Sequence, residues 1–331
     1  MKTRVVPLLV LAGLLLAPAV ALRAASANEV KLTRADDRVR VEFGGQLFTE
    51  YIFKGAPKPY LYPVLAQDGT PMTRDFPMKK GVPNEVEDHP HHRSIFFTHG
   101  DVDGLDFWAE SMGAKQGRIV PESVEQSVKG GVGEIKSHNK WVGPNQAVHL
   151  TDDTTIRFRQ NGDVRIIDFE VTLQAPKDKP VVFGDTKEGS MAIRLPLWMT
   201  PSHGLSKGKK YEGKGTIINA EGITNDATWG KRSTWVDYYA PKDGKVYGVA
   251  MFDHPKNPRH PTWWHVRSYA LFAANPFGKH DFENLKAEPH AGDYTIPAGG
   301  SATFRWRIYF HPGDEKSAKI AEHFKEYAAG K

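Results

Sequence analysis

The chain has 331 residues, no cysteine and a formal net charge of +5 at neutral pH. Zero cysteines exclude disulfides as a source of stability and thiolates as metal ligands, so the fold must depend on an ordinary hydrophobic core, for which the length is ample. The lysines and arginines form no concentrated stripe of the kind that displaces counterions, which excludes nucleic acid as a partner.

The first 27 residues have the three-part plan of a secretory signal peptide. Lys2 and Arg4 come first, an apolar stretch runs from Val5 to Ala21, and small residues end at Ala27. An uncleaved membrane anchor is the alternative, but prolines within the stretch and the small-residue site favour cleavage after Ala27. We therefore expect a periplasmic or secreted protein with no membrane insertion once the signal has been removed.

Period-two alternation of apolar and polar residues recurs along the rest of the chain and indicates β-strands. In the clearest case one face carries Phe304, Trp306, Ile308 and Phe310. Asn161-Gly162 lies between two such segments and predicts a β-hairpin. Helical periodicity is convincing only near the C-terminus, in the stripe of Ile320, Phe324 and Tyr327.

Many evenly spaced strands without alternating helices favour antiparallel sheets packed face to face. The sequence thus predicts an all-β fold, a large antiparallel β-sandwich of the jelly-roll or supersandwich type, followed by a C-terminal amphipathic helix. We find no linker, repeat or charge run that would divide it, so residues 28–331 are predicted to form a single domain.

The densest group of chemically active side chains flanks a short apolar strand, Ser94–Thr98. Its members are Asp88, His89, His91, His92 and Arg93 before the strand, and His99, Asp101, Asp103 and Trp108 after it. Because the two halves flank one strand, they could meet at one end of a sheet. Imidazole can transfer protons near neutral pH or bind a metal, and arginine offers a fixed fork of donors, which favours a functional site here.

A second group follows the apolar strand Val246–Met251 and lies in a loop stiffened by three prolines. It contains His254, Asn257, Arg259, His260 and Trp264. A stiff backbone lowers the entropy lost when polar groups are positioned for a ligand, and an aromatic face beside hydrogen-bonding groups is typical of sugar sites. Asn275 is a weaker candidate from a later segment, and Glu188 and Asp237 are the best additional carboxylates.

Several runs of residues resemble the bacterial PmoA-like family over nearly the whole mature chain. They are Asp88 to Arg93, His99 to Trp108, Lys187-Glu188-Gly189, Phe252-Asp253-His254-Pro255, Pro258-Arg259-His260-Pro261 and Phe272 to Gly278. This resemblance implies an uncharacterised exported β protein from bacteria that degrade complex glycans, with no established catalytic residues to carry over. It therefore favours a small carbohydrate as the ligand, by association only.

The first functional hypothesis is an exported carbohydrate-active enzyme, a lyase, hydrolase or epimerase. His92 or His254 would transfer protons, and Glu188 or Asp237 would assist. The predicted substrate-binding residues are Arg93, His99, Asp101, Asp103, Trp108, Asn257, Arg259, His260, Trp264 and Asn275.

Two other hypotheses stay open at this point. A mononuclear zinc or iron enzyme would draw its ligands from His89, His91, His99, Asp101, His254 and His260. A noncatalytic sugar-binding protein would need the aromatic and hydrogen-bonding groups but no proton-transfer pair. The sequence contains no Rossmann glycine pattern or phosphate loop, so we expect no nucleotide cofactor.

Overall fold

The computed structural model describes residues 28–83, 85–110, 113–201, 204–206, 209–211 and 213–330. The predicted signal peptide, residues 1–27, lies outside the described residues, so cleavage, export and localisation stay predictions. Within the described ranges, no helix combines the length and the apolar character needed to cross a membrane.

The described residues form β-strands almost throughout. The strands are β1 (Val30–Arg34), β2 (Arg38–Phe43), β3 (Gln46–Ile52), β4 (Tyr60–Val64), β5 (Ile95–His99), β6 (Arg118–Lys129), β7 (Val132–Val142), β8 (Val148–Asn161), β9 (Val164–Gln174), β10 (Val181–Phe183), β11 (Gly189–Arg194), β12 (Gly204–Ser206), β13 (Lys209–Tyr211), β14 (Thr216–Asn219), β15 (Trp235–Lys242), β16 (Lys245–Asp253), β17 (Trp263–Val266), β18 (Leu271–Asn275), β19 (Tyr294–Ile296) and β20 (Ser301–Pro312). Two α-helices follow late in the chain, α1 (Lys279–Phe282) and α2 (Ile320–Ala328).

Sixteen of these strands form two eight-stranded sheets. The first sheet has the order β1-β2-β3-β4-β5-β11-β18-β17, and the second has the order β14-β15-β16-β20-β9-β8-β7-β6. Neighbouring strands in both sheets run antiparallel. This confirms the predicted all-β fold with large antiparallel sheets.

One hydrophobic core lies between the two sheets. Phe97 on β5 contacts Trp306 on β20, with ring centroids 5.7 Å apart, and Phe169 on β9, with centroids 6.2 Å apart. The same cluster takes in Met191 and Phe272 from the first sheet. That residues 28–331 form a single domain stays a prediction.

The alternation predicted for β20 is confirmed, but its second face is not open to solvent. Phe304 and Trp306 point into the core between the sheets. On the opposite face Tyr309 is buried in a second cluster, which the C-terminal helix α2 covers. Phe324 of α2 packs edge to face on Phe252, with ring centroids 5.9 Å apart. The predicted amphipathic helix therefore covers the outer face of the second sheet around β15, β16 and β20.

The predicted hairpin at Asn161-Gly162 joins β8 to β9. Asn161 pairs with Val164, and Gly162 has a φ of 56°, the left-handed conformation that such turns need. Alternation then continues along β9, where every second residue is buried.

Trp306 offers a direct test of the two-sheet core. Its side chain is 1% exposed and stacks on Phe304 with ring centroids 5.8 Å apart. Trp306→Ala should lower the free energy of unfolding by about 3–5 kcal/mol, measured by urea denaturation, because it leaves a large cavity. Val120→Ala is the control, since Val120 is 41% exposed. Equal losses in the two variants would contradict this account of the core.

Candidate functional site

The centre of the first sheet carries a row of residues that share its outer face. The strand register places Phe96 of β5 opposite Ala192 of β11, Ala192 opposite Ala273 of β18, and Ala273 opposite His265 of β17. All four are buried. Because two of the four are alanines, the sheet leaves room above its surface for large rings from the connecting segments.

Those rings form what we call the histidine stack, which consists of Tyr269, His89, His92 and Phe96. The His89 ring lies flat between Tyr269, with centroids 5.4 Å apart, and His92, with centroids 4.9 Å apart. His92 in turn lies over Phe96 at 6.3 Å and meets the Trp108 ring edge to face at 5.5 Å. The stack therefore joins residues 89–92 to the sheet and to the segment after β17.

Asp88 fixes the orientation of His89. Asp88 Oδ1 accepts hydrogen bonds from Arg74 and, at 2.8 Å, from Arg194, and both arginines are 1% exposed. Its second oxygen lies 3.2 Å from His89 Nδ1. A carboxylate on the Nδ1 side of an imidazole favours the tautomer with the proton on Nδ1 and Nε2 as the acceptor.

His89 is the accessible imidazole of the stack. Its side chain is 42% exposed, and its backbone has a φ of 44°, in the left-handed region that non-glycine residues seldom adopt. Among the described residues, no hydrogen-bond partner of Nε2 is present. A carboxylate on one ring nitrogen and an open second nitrogen is the arrangement of a proton-transfer histidine.

His91 and His92 are held neutral by their surroundings. Burial lowers the pKa of His91 to about 3, and the charge of Lys58 acts in the same direction. Burial also lowers the pKa of His92 far below its ordinary value, with Arg194 adding to the shift. His92 is 1% exposed, and neither ring nitrogen has a hydrogen-bond partner among the described residues. The geometry therefore favours a packing role for His92. A proton-transfer role fits His89 better.

Arg93 and Trp108 lie beside the stack, but their predicted contacts with substrate are blocked. Glu110 accepts hydrogen bonds from Arg93, at 2.7 Å from Nε and 2.6 Å from a terminal nitrogen, and from Lys58 at 2.9 Å. Trp108 is 1% exposed within an apolar cluster that includes Tyr60 and Leu271. Both side chains are therefore engaged in contacts within the protein beside the histidine stack.

Glu188 belongs to the same face of the sheet. Its side chain is 37% exposed and lies 3.4 Å from Lys187. Burial raises the pKa of Tyr269, and among the smaller effects the charges of Glu188 and Asp88 raise it further. Glu188 directly precedes β11, the strand that carries Ala192 beneath the histidine stack, and its catalytic role stays a prediction.

Asp237 lies elsewhere. It is on β15, on the outer face of the second sheet, where Oδ1 lies 3.0 Å from His311 Nε2. Both side chains are fully buried. Asp237 therefore lies on the far side of the core from the histidine stack and from His92, one of the two histidines that it was predicted to assist. The physical reason is that β15 belongs to the opposite layer of the sandwich, with the core in between.

The second predicted group is also separate from the first, because its side chains are used to hold their own loop. Asp253 accepts hydrogen bonds from Asn257 at 2.8 Å and from His260 at 2.7 Å. Asn257 bonds both backbone groups of Arg305 at 2.7 Å. His254 packs edge on against Tyr327 of α2, 5.0 Å between centroids. This loop closes the end of the second sheet.

Arg259 and Trp264 are likewise bonded to backbone carbonyls. Arg259 donates to Pro276, Gly292 and Asp293, and Trp264 donates to Ser233 at 2.9 Å. A loop outside regular structure must find partners for its carbonyls, and these side chains supply them. Both residues were predicted to orient ligand hydroxyls, but these donors are already used within the protein.

The remaining predicted ligand contacts are structural as well. His99 ends β5 on the inner face, and burial lowers its pKa to about 4. Its Nε2 donates to the carbonyl of Gly184 at 2.7 Å. Asp101 accepts the N–H of Gly104 within the turn after β5, and Asp103 accepts the N–H of Val182 on β10, at 2.9 Å each. Asn275 is fully buried and bonds the carbonyl of Thr186 at 2.8 Å.

The predicted metal ligands do not converge. Among the described residues, no group of three or more histidines, aspartates or glutamates is arranged to hold a metal ion. His99 lies on the inner face of the first sheet, and His254 and His260 lie at the end of the second sheet. These residues therefore do not form the predicted zinc or iron site.

Four residues of the site were not predicted from the sequence. They are Tyr269, His265, Arg267 and Arg194, which surround the stack from β17, β11 and the segment after β17. Tyr269 and Arg194 stand alone in the sequence with no chemical neighbours to single them out. His265 follows the Trp263-Trp264 pair, and its period-two position two residues after Trp263 was the available signal.

A separate cavity of about 410 Å³ lies away from this site. Its wall includes Asp68, Arg165 and Tyr247. Arg165 donates to the carbonyls of Leu65 and Ala66, and Tyr247 donates to Asp68. None of the residues predicted to form the site lines this cavity.

The chain is similar to known proteins in sequence, through one family model, and weakly in fold, through several solved structures. One family model matches residues 38–325, and it is described as a family of unknown function, DUF6807. The predicted resemblance to the PmoA-like family is therefore wrong. No match is found among curated proteins.

Several solved structures are weakly similar to the chain. An α-galactosidase from Lactobacillus brevis has a TM-score of 0.42 and 10% identity, covering 85% of this chain and 39% of that one. A GH36 α-galactosidase from Geobacillus stearothermophilus has a TM-score of 0.40 and 9% identity, covering 87% and 40%. A galactose mutarotase-like protein from Lactobacillus casei has a TM-score of 0.33 and 10% identity, covering 85% and 100%. The chain spans about two fifths of the length of these galactosidases, and likeness at this level transfers no activity.

Asn257→Ala separates a structural role from a ligand contact. The side chain is 6% exposed and bonds Asp253 and Arg305, so its removal leaves buried polar groups unpaired. We expect the free energy of unfolding to fall by about 1–3 kcal/mol in urea denaturation. Ligand affinity of the folded variant, measured by calorimetry, should not change. A stable variant with weakened affinity would contradict this assignment.

The buried His265 predicts acid sensitivity. Burial lowers its pKa from 6.5 to about 3, so between these values the unfolded chain binds a proton that the folded chain does not. This contribution to stability is complete above pH 6.5 and is lost as the pH falls towards 3. In His265→Gln, the slope of unfolding free energy against pH should decrease by roughly 1 kcal/mol per pH unit near pH 4–5. Equal slopes of unfolding free energy against pH in the variant and the natural protein would contradict this prediction.

Proposed function

Since the chain belongs to the DUF6807 family, whose function is unknown, we propose from the geometry of the site that it is an enzyme that moves a proton on a small, hydroxylated, carbohydrate-type ligand. His89 transfers the proton and Asp88 is its positioning residue. The observation that carries the proposal is the His89 ring, 42% exposed and 3.2 Å from a carboxylate that two buried arginines hold.

The chemistry of His89 follows from this arrangement. Asp88 holds the Nδ1 proton, so Nε2 accepts a proton from the ligand and returns one in a later step. The imidazolium formed in between is stabilised by the same carboxylate. Tyr269 and His92 on the two faces of the ring prevent it from turning, which keeps Nε2 aimed at the ligand.

The other groups of the site suit a hydroxylated ligand. Glu188 is partly exposed next to Lys187, and it can accept a hydroxyl proton or act as the second proton-transfer group. The ring edges of the stack offer apolar surface for the CH groups of a sugar. Export, expected from residues 1–27, would put the enzyme where polymeric or released sugars occur.

The residue assignment differs from the one first drawn from the sequence. His92 is too buried to reach a ligand, and His254 packs under α2. His89, first considered only as a metal ligand, takes their place because it combines exposure with a carboxylate partner.

The test is His89→Asn. Asparagine tolerates the left-handed backbone of this position but cannot transfer the proton, so turnover should fall by about 10²–10⁴-fold while the fold is kept. His290→Asn is the control, because His290 is 80% exposed and its ring bonds Asp293, outside the histidine stack. Unfolding transitions confirm that both variants fold.

Three readouts cover the possible reaction classes. Incubation with sugars and glycosides in D₂O reports exchange of carbon-bound protons, reducing-end assays report hydrolysis, and ultraviolet absorbance reports unsaturated products of a lyase. Undiminished turnover in His89→Asn would overturn the proposal. Ligand binding with no product in any of the three would also overturn it and would favour a sugar-binding protein.

A further inference from the structure

His265 and Arg267 form a fixed pair at the edge of the histidine stack. His265 Nδ1 lies 2.7 Å from the carbonyl of Lys187, so this nitrogen must carry the proton and donate. Nε2 is then an acceptor and receives the Nε–H of Arg267 at 3.1 Å. Burial, together with the charge of Arg267, lowers the pKa of His265 to about 3 and keeps it neutral in this role.

The guanidinium of Arg267 is held in a second direction as well. Its central carbon lies 4.9 Å from the centre of the Trp229 ring. One contact uses Nε and the other uses the flat face, so the orientation of the group is set while its two terminal nitrogens stay available. Among the described residues, neither a carboxylate nor another acceptor bonds these two nitrogens.

The other arginines of this face are engaged differently. Arg74 and Arg194 share Asp88, and Arg93 makes a bidentate pair with Glu110. Each of these cations therefore has a carboxylate in contact. Arg267 carries its charge without one, although it is only partly exposed. A partly buried cation is best stabilised by an anion, and here no side chain of the described residues supplies it.

Arg267 is also close to the group that would react. Burial raises the pKa of Tyr269, and the charges of Arg194 and Arg267 oppose that shift. Tyr269 stacks directly on His89 at 5.4 Å. Arg267 and Tyr269 belong to the same turn between β17 and β18, in which the Arg267 carbonyl accepts the N–H of Ala270. One short segment therefore carries both the guanidinium of Arg267 and the ring that stacks on His89.

We infer that Arg267 binds a carboxylate of the ligand, and that the substrate class is a carboxylated sugar of the uronate type. This inference rests on the proposed function, and it names the ligand that His89 would act on. A planar guanidinium with two parallel N–H groups matches a carboxylate in both shape and charge.

The binding experiment compares matched ligands by isothermal titration calorimetry. Galacturonate and its methyl ester differ in charge and little else, and galactose and galactose 6-phosphate complete the set. The natural protein should bind galacturonate about tenfold or more tightly than the ester or galactose. Equal affinity for acid and ester would overturn the inference, as would a preference for the phosphate or a failure to bind the acid.

Two variants test the residue itself. Arg267→Gln should weaken galacturonate binding by about tenfold or more and leave the affinity for the ester unchanged, and Arg267→Lys should restore part of the loss because it keeps the charge. Arg232→Gln is the matched control. Its guanidinium also lies over a tryptophan, 4.6 Å from Trp263, but it is bonded to the carbonyls of Pro261 and Arg259. Unchanged acid-to-ester selectivity in Arg267→Gln would overturn the inference.

The inference and the proposed function can fail separately. If His89→Asn keeps full turnover while Arg267→Gln loses galacturonate affinity, the proton-transfer role is wrong and the carboxylate site stands. If His89→Asn loses turnover but Arg267→Gln binds galacturonate as the natural protein does, the carboxylate site is wrong and His89 stands.

Discussion

The site depends on a single buried carboxylate, Asp88, shared between Arg74 and Arg194. The two arginines come from segments more than 100 residues apart in sequence, and both are 1% exposed. Removing one partner of such a buried group typically costs about 3–5 kcal/mol, because the other charges are left without compensation. The pairing therefore ties residues 74–93 to β11, and it leaves one carboxylate oxygen to orient His89.

A second shared carboxylate repeats this pattern on the other side of the histidines. Glu110 holds both Arg93 and Lys58, so each carboxylate serves two cations. The surplus of positive charge around the stack adds to burial in keeping His91 and His92 neutral. Neutral imidazoles pack like other rings, so His91 and His92 can lie beside His89 without charge repulsion. Of the three side chains, His89 is exposed, His91 is partly buried and His92 is buried.

The sequence predicted the architecture well because strand patterns are local. The alternation around Trp306, the turn at Asn161-Gly162 and the stripe of α2 each depend on neighbours within a few residues, and all three were found. Sheet order is not local. The order of the strands places Asp237 far from the histidines and Tyr269 next to His89. Neither relation can be predicted from the spacing of residues in the sequence.

Residue type alone was also a poor guide to function in the loop after β16. Aspartate, asparagine, histidine and arginine are the groups of a binding site, but they are equally the groups that satisfy the backbone of an irregular segment. Asn257 bonds Arg305 and Arg259 bonds Gly292, so their donors are already used. Composition shows which groups are present, and only the fold shows which of them are still free to bind a ligand.

The alanines beneath the stack act as a spacer of fixed thickness. Ala192 and Ala273 stand side by side on neighbouring strands, and the layer of rings rests above them. A longer side chain at either position would lift that layer without altering any reactive group, and His89 would move away from Asp88. The distance between the His89 ring and Asp88 is thus set in part by side-chain volume at two positions that take no part in the chemistry.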